Sequence, residues 1–222
     1  MPKYKNFFFD LDGTITDPKD GIVNSYIYSL EKLGIKDCDR ELVATYIGPS
    51  IHLIFVEAYG IAETEIDNAV KYYREYFSVK GIYENKVYDG IIQLLETLQK
   101  NNNSLYLVTS KPTIYAKEVL RHFNLGKYFI QVYGSEMSNK NTDKETLINE
   151  ALTKSKLNNT ESIMIGDRKY DIIGANANKV DSIAVTYGYG KTEEFAEHNP
   201  TYMVHSVKEL EKLLLVVSGP QS

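Results

Sequence analysis

At 222 residues, with 43% hydrophobic and 25% charged, the chain has apolar material for one domain, or one domain with a sizeable insertion, and lacks the composition of long disorder. A formal net charge of −5 argues against a general nucleic-acid or membrane-surface binder, though a locally positive site for a small anion remains compatible with it. The single cysteine, Cys38, excludes an intramolecular disulfide and a cysteine metal cluster, and reads as a half-buried filler. The first strand begins within a few residues of Met1, so no signal peptide is expected. The apolar run 213–217 is too short to span a bilayer, and a reducing cytoplasm is the expected location.

In chain order, Phe7-Phe8-Phe9 is an apolar aromatic run that reads as a buried strand. It ends in Asp10-Leu11-Asp12-Gly13-Thr14. Side chains two apart on a strand share a face, so Asp10 and Asp12 start on the same side, and Gly13 lets the chain turn. Asp17-Pro18 predicts a helix start with Asp17 as cap. Ile22, Tyr26, Leu30 and Leu33 mark its buried face, and Gly34 its end. Further helices are predicted from Asp39, over 51–59 and over 63–77, with His52 in a packing role. Residues 17–86 thus read as an all-helical insertion, with no strand.

Strands and helices then alternate. Asp89 is expected to cap a helix, followed by a strand over 104–108 that ends at Thr109-Ser110-Lys111-Pro112. A helix over 113–123, a strand over 129–133, a polar loop over 134–142 and a helix over 143–154 follow. Next come a strand over 162–165 ending at Gly166-Asp167, a helix over 171–178, strands over 182–186 and 202–204, a helix over 206–215 and a frayed tail. Such alternation predicts an α/β fold: a Rossmann-like parallel sheet with helices on both faces, formed by 1–16 and 87–222, with 17–86 as an inserted helical cap.

Each polar cluster lies just after a strand: Asp10 and Asp12, Thr109 and Ser110, Asp167. Strand ends of one kind share one edge of a parallel sheet, so these groups are expected to converge. Several acids in one cleft need a cation to stay ionised together. Oxygen ligands without His or Cys suit a hard ion, here Mg²⁺. The run Gly188-Tyr189-Gly190-Lys191-Thr192 is not a nucleotide P-loop, because Val185 stands where the first glycine belongs. It is expected at the rim of the site.

Asp10-Leu11-Asp12-Gly13-Thr14, then Thr109, a lysine and Gly166-Asp167 with Asp171 four residues on, resembles the haloacid dehalogenase-like (HAD) phosphatases. The match runs in order across nearly the whole chain, including the helical insertion after the first motif. The resemblance implies that Asp10 is the nucleophile and becomes an aspartyl-phosphate. Asp12 would be the acid for the leaving alcohol and then the base for water. Mg²⁺ would be held by the carboxylates of Asp10 and Asp167 and the main-chain carbonyl of Asp12. Thr109 can donate a hydrogen bond to a phosphoryl oxygen, and Gly13 and Ser110 are further expected phosphate-binding residues. Lys140 and Lys144 are both candidates for the lysine that holds Asp10 and phosphate. The family's common Lys-Pro pairing is absent at both, and Lys144 is preferred because the matching lysine opens a helix. Asp171 is expected either to cap its helix or to hold water on the metal. Arg168 either binds a substrate group or neutralises nearby acids.

Phosphate monoesters need accelerations of up to about 10²¹-fold, and an acyl-phosphate profits from a cap that excludes water. Such a cap would close on linkers near Thr16 and Lys86, with 47–50 as a candidate loop facing the site. Within the family the chain looks most like the phosphoglycolate phosphatase and 5′-nucleotidase branch, on Asp167-Arg168, Tyr170-Asp171, Gly174-Ala175 and residues 186–190. The expectation is therefore a Mg²⁺-dependent phosphatase for phosphoglycolate or a nucleoside 5′-monophosphate, working as a monomer or homodimer. The alternatives are a sugar phosphomutase of the same superfamily or a non-catalytic regulatory module.

Overall fold

The computed structural model describes residues 3–48, 51, 54–137 and 143–218. The chain divides into two compact units, one formed by Met1–Asp17 and Val87–Ser222, the other by Pro18–Lys86.

The first unit is built on a six-stranded sheet. Its strands are β1 (Asn6–Phe9), β4 (Ser104–Pro112), β5 (Gln131–Ser135), β6 (Ser162–Gly166), β7 (Asp181–Val185) and β8 (Tyr202–Val204), in the order β5-β4-β1-β6-β7-β8. Every pairing is parallel. β1 lies between β4 and β6, which is why Phe7, Phe8 and Phe9 can all be apolar: a central parallel strand is covered on both faces. Phe8 packs with Tyr106, Val108, Met164, Leu147 and Ile148, and its ring meets that of Tyr106 edge-on at 5.7 Å. The last two residues of that cluster bring in helix α6 (Lys144–Lys154). The remaining helices of this unit are α4 (Ile91–Lys100), α5 (Thr113–His122), α7 (Lys169–Ala177), α8 (Thr192–Ala196) and α9 (Val207–Ser218).

The second unit contains α1 (Lys19–Lys32), α2 (Arg40–Thr45) and α3 (Ile66–Tyr76), with π-helical turns at Ile54–Ala58 and Phe77–Gly81. Its core is aromatic. Tyr26 meets Phe55 at 5.1 Å and Tyr73 at 4.7 Å, and Ser29 donates to the Ala69 carbonyl to tie α1 to α3. Asp39 caps α2 as the sequence predicts, accepting from the Glu41 and Leu42 amides.

Several boundaries depart from expectation. Asp17 does not cap α1. It ends a two-residue strand, β2 (Thr16–Asp17), which pairs with β3 (Lys86–Val87), so short strands stand where only helix was expected. Asp89 is not a cap either. Gly90 takes that position with φ +89°, and no side chain caps α4. β4 continues through Pro112 with a register irregularity after Thr109, and β5 starts two residues late because a 3₁₀ turn covers Gly126–Tyr128. α7 begins at Lys169, so Asp171 sits in its first turn; α8 was not anticipated. Ser218 is buried in α9 rather than frayed. His52, Pro49, Ser50 and residues 219–222 lie outside the described residues. Among those described, no helix is long and apolar enough to cross a membrane.

Truncating the centre of this core should register strongly. Phe8→Ala is expected to cost about 3–5 kcal/mol, read as a lower urea midpoint with an unchanged m-value. A loss under about 1 kcal/mol would mean that β1 is not the packing centre.

Candidate active site

The carboxyl ends of β1, β4 and β6 bring the predicted residues together. Asp10 follows β1, and its main-chain N–H donates to the Ile165 carbonyl of β6 at 2.9 Å. The chain then turns tightly: the amides of Thr14, Ile15 and Thr16 all donate to the Leu11 carbonyl. Gly13 makes this turn with φ +82°, and a Cβ there would lie 2.0 Å from Oδ2 of Asp167. No other residue allows the first loop to lie against that carboxylate.

Lys144, the first residue of α6, reaches under the site. Its Nζ lies 3.1 Å from Asp10 Oδ1 and 2.7 Å from Asp171 Oδ1, and it donates to the Val108 carbonyl at 3.0 Å. Asp143 caps α6 by accepting from the Thr146 amide, so the helix start is fixed and with it the root of the lysine. Lys140, the other candidate, lies outside the described residues. Asp10 Oδ1 also accepts from the Leu11 amide at 2.7 Å.

Asp167 is fully buried. Its Oδ1 accepts from the Thr14 hydroxyl at 3.4 Å and its Oδ2 from the Tyr189 amide at 2.8 Å. Asp171 serves two partners: Oδ1 faces Lys144, and Oδ2 accepts from the Arg168 amide at 3.0 Å, closing the first turn of α7. The Arg168 side chain donates to Glu194, on α8, at 3.2 Å. Thr109 is buried in β4 where its register shifts, and its hydroxyl accepts from the Lys111 amide at 3.3 Å, while Ser110 beside it is half-buried.

One residue of the cluster was missed in the sequence. Lys111, buried, pairs with Asp12 Oδ2 at 2.5 Å. It stands directly after the two hydroxyl residues singled out at the end of β4, so its position carried the signal. Asp12 Oδ1 is buried and accepts no hydrogen bond.

The electrostatics follow from burial. Desolvation raises the carboxyl of Asp12 against the opposing pull of Lys111. Desolvation, then the nearby Asp10 and Asp171, pushes Asp167 well above the ordinary carboxylate range. Asp171 is pushed up to about 6 by burial, with Lys144 pulling the other way. For Lys144 burial acts downward, but Asp10 and Asp171 outweigh it and the ammonium is held more firmly than usual. Among the described residues, four carboxylates here face two lysines. Asp10, Asp167 and Asp171 each bring an oxygen within 4.8 Å of the others. An all-oxygen set with surplus negative charge fits a hard divalent cation.

Comparison with known proteins accords with this geometry. The haloacid dehalogenase-like hydrolase family matches residues 7–185. A 5′-nucleotidase of Pseudomonas aeruginosa is 42% identical over 212 residues, covering 96% of each chain. A phosphoglycolate phosphatase of Vibrio parahaemolyticus is 25% identical, covering 94% of this chain and 95% of its own. The crystal structure of a predicted phosphatase from Clostridium acetobutylicum superposes with a TM-score of 0.92 at 43% identity, covering 96% of this chain and 99% of its own. With a family match spanning most of its length and relatives of this kind, the chain belongs to the haloacid dehalogenase-like hydrolases and is an enzyme of their phosphatase group.

Proposed function

We propose that this enzyme is a Mg²⁺-dependent phosphatase that hydrolyses the monoester of a small metabolite, with a nucleoside 5′-monophosphate as the leading substrate class. The observation that carries the reading is the junction of Asp10, Asp12, Asp167 and Lys144 at one edge of the sheet. The relative named 5′-nucleotidase is 42% identical and the one named phosphoglycolate phosphatase 25%, which favours the nucleotide over phosphoglycolate.

In this reading an Asp10 carboxylate oxygen attacks phosphorus, and the bond to the ester oxygen breaks as the aspartyl-phosphate forms. Lys144 fixes Asp10 Oδ1 and adds positive charge beside the incoming phosphoryl group. Lys111 holds one oxygen of Asp12, which leaves Oδ1 as the atom that hands its proton to the departing alcohol. The raised Asp12 carboxyl supports its being protonated at that moment. Water then attacks the aspartyl-phosphate and gives its proton back to Asp12, releasing inorganic phosphate and restoring both aspartates. The Thr109 hydroxyl oxygen is occupied by the Lys111 amide, so its proton is directed to a phosphoryl oxygen. Asp10, Asp167 and the Asp12 carbonyl would hold Mg²⁺, which neutralises charge on the phosphoryl group when bound. Asp171 positions Lys144, and Arg168 neutralises Glu194. We assign residues 17–86 as a cap that limits the site to small substrates.

Asp10→Asn should lose at least about a thousandfold in phosphate release while keeping its circular dichroism spectrum. Appreciable turnover in that variant would remove Asp10 from the role of nucleophile. A panel of monoesters should rank nucleoside 5′-monophosphates above phosphoglycolate and sugar phosphates in kcat/KM. The opposite ranking would reverse the substrate assignment. In chelator, Asp171 binds a proton in the folded state up to about pH 6, above its ordinary 3.8. The stability this contributes is present at low pH and lost as pH rises through about 6. Urea titrations across that window should show stability falling with pH, and falling less in Asp171→Asn. Identical slopes in the two proteins would contradict the assignment.

A further inference from the structure

Gly188 and Tyr189, which open the run set aside above as a phosphate loop, and Tyr187 just before it together hold Asp167. The Tyr189 amide donates to Asp167 Oδ2 at 2.8 Å. The Tyr187 phenol donates to the Thr14 carbonyl at 2.9 Å, and the Thr14 hydroxyl in turn faces Asp167 Oδ1 at 3.4 Å. Gly188 lies so close that a Cβ would stand 2.3 Å from the Gly13 carbonyl oxygen and 2.5 Å from Asp167 Oδ2. Both oxygens of the carboxylate are thus set by this segment, one directly and one through Thr14.

The same segment is anchored at the places where the chain leaves and re-enters the first unit. The Tyr189 phenol donates to Asp17, the last residue before the chain leaves. The Tyr187 ring meets Tyr88, the second residue after its return, edge-on at 5.2 Å, and the Tyr88 amide donates to the Ile15 carbonyl. Tyr189 therefore spans from the connecting strand β2 to the buried carboxylate with two hydrogen bonds, one from its side chain and one from its main chain.

We propose that Tyr189 is a positioning residue: its bond to Asp17 holds its amide on Asp167 and so sets the affinity of the site for a divalent ion. This rests on the reading of Asp167 as a metal ligand. A phenol held by an acceptor restrains its ring and so limits the excursions of its own main chain, and outer partners that orient a ligand carry a substantial share of metal affinity. The bond makes Asp17, which the site itself does not use, part of the ion's support.

The test is calorimetric titration of Mg²⁺ into the substrate-free protein, with melting temperatures measured in chelator. The unmodified protein should bind and Asp167→Asn should not. If the unmodified protein fails to bind, or Asp167→Asn binds equally, the metal reading fails and this inference with it. Tyr189→Phe, which keeps the amide and removes the phenol, should weaken Mg²⁺ about tenfold, as should Asp17→Ala, and the double variant should be no weaker than the poorer single. With Asp167→Asn silent, an unchanged affinity in Tyr189→Phe overturns the inference alone, even if the metal-free melting temperature falls. Additive losses in the double variant would also overturn it, because the two residues would then act separately.

Discussion

The arrangement turns on one lysine placed between two buried carboxylates. A buried ammonium is unfavourable unless its partners are fixed, and Lys144 has three: Asp10, Asp171 and the Val108 carbonyl. Each comes from a different part of the chain, so the ion pair forms only when β1, β4, α6 and α7 are in place. Lys144 in turn makes it tolerable to crowd Asp10 near Asp167. The capping of α6 by Asp143 and of α7 by Asp171 are two halves of the same device, since each helix start delivers one side of the contact. Asp171 is thus both a cap and a counter-charge, uses that the sequence presents as separate.

Much of this was legible in the sequence because the informative residues sit at strand ends. A continuous apolar run closed by polar residues marks a buried parallel strand, and the parallel arrangement gathers those ends at one edge. Asp10, Asp12, Thr109 and Asp167 could be grouped on that rule alone. Lys111 escaped it because a lysine after two hydroxyl residues reads equally well as a solvated loop residue; its pairing with Asp12 depends on how β4 runs past Thr109 with a shifted register. That irregularity leaves no mark on hydrophobic periodicity.

The misread caps have a common cause. Asp17 and Asp89 both precede helices and both fit the composition of a cap. In the structure Asp17 is taken by the Tyr189 phenol, a partner far along the chain, and at Asp89 the left-handed Gly90 sets the helix start. Local preference chose correctly at Asp39, whose carboxylate accepts from the Glu41 and Leu42 amides at the start of α2. The short α8 was missed for a different reason: five residues are too few to show a period, and it is held by its buried Phe195.

The position of β1 has a consequence for how the molecule is made. Asn6 pairs with Ser104 on one side and with Ser162 on the other. A ribosome adds about 5–20 residues per second, so this aromatic strand waits on the order of ten seconds for its first neighbour and longer for its second. During that interval Phe7, Phe8 and Phe9 have no sheet to join, whereas the helical unit, whose contacts are local, can assemble as it emerges. Synthesis therefore leaves the most apolar stretch near the start of the chain exposed longest, and makes it the segment a chaperone has most reason to hold.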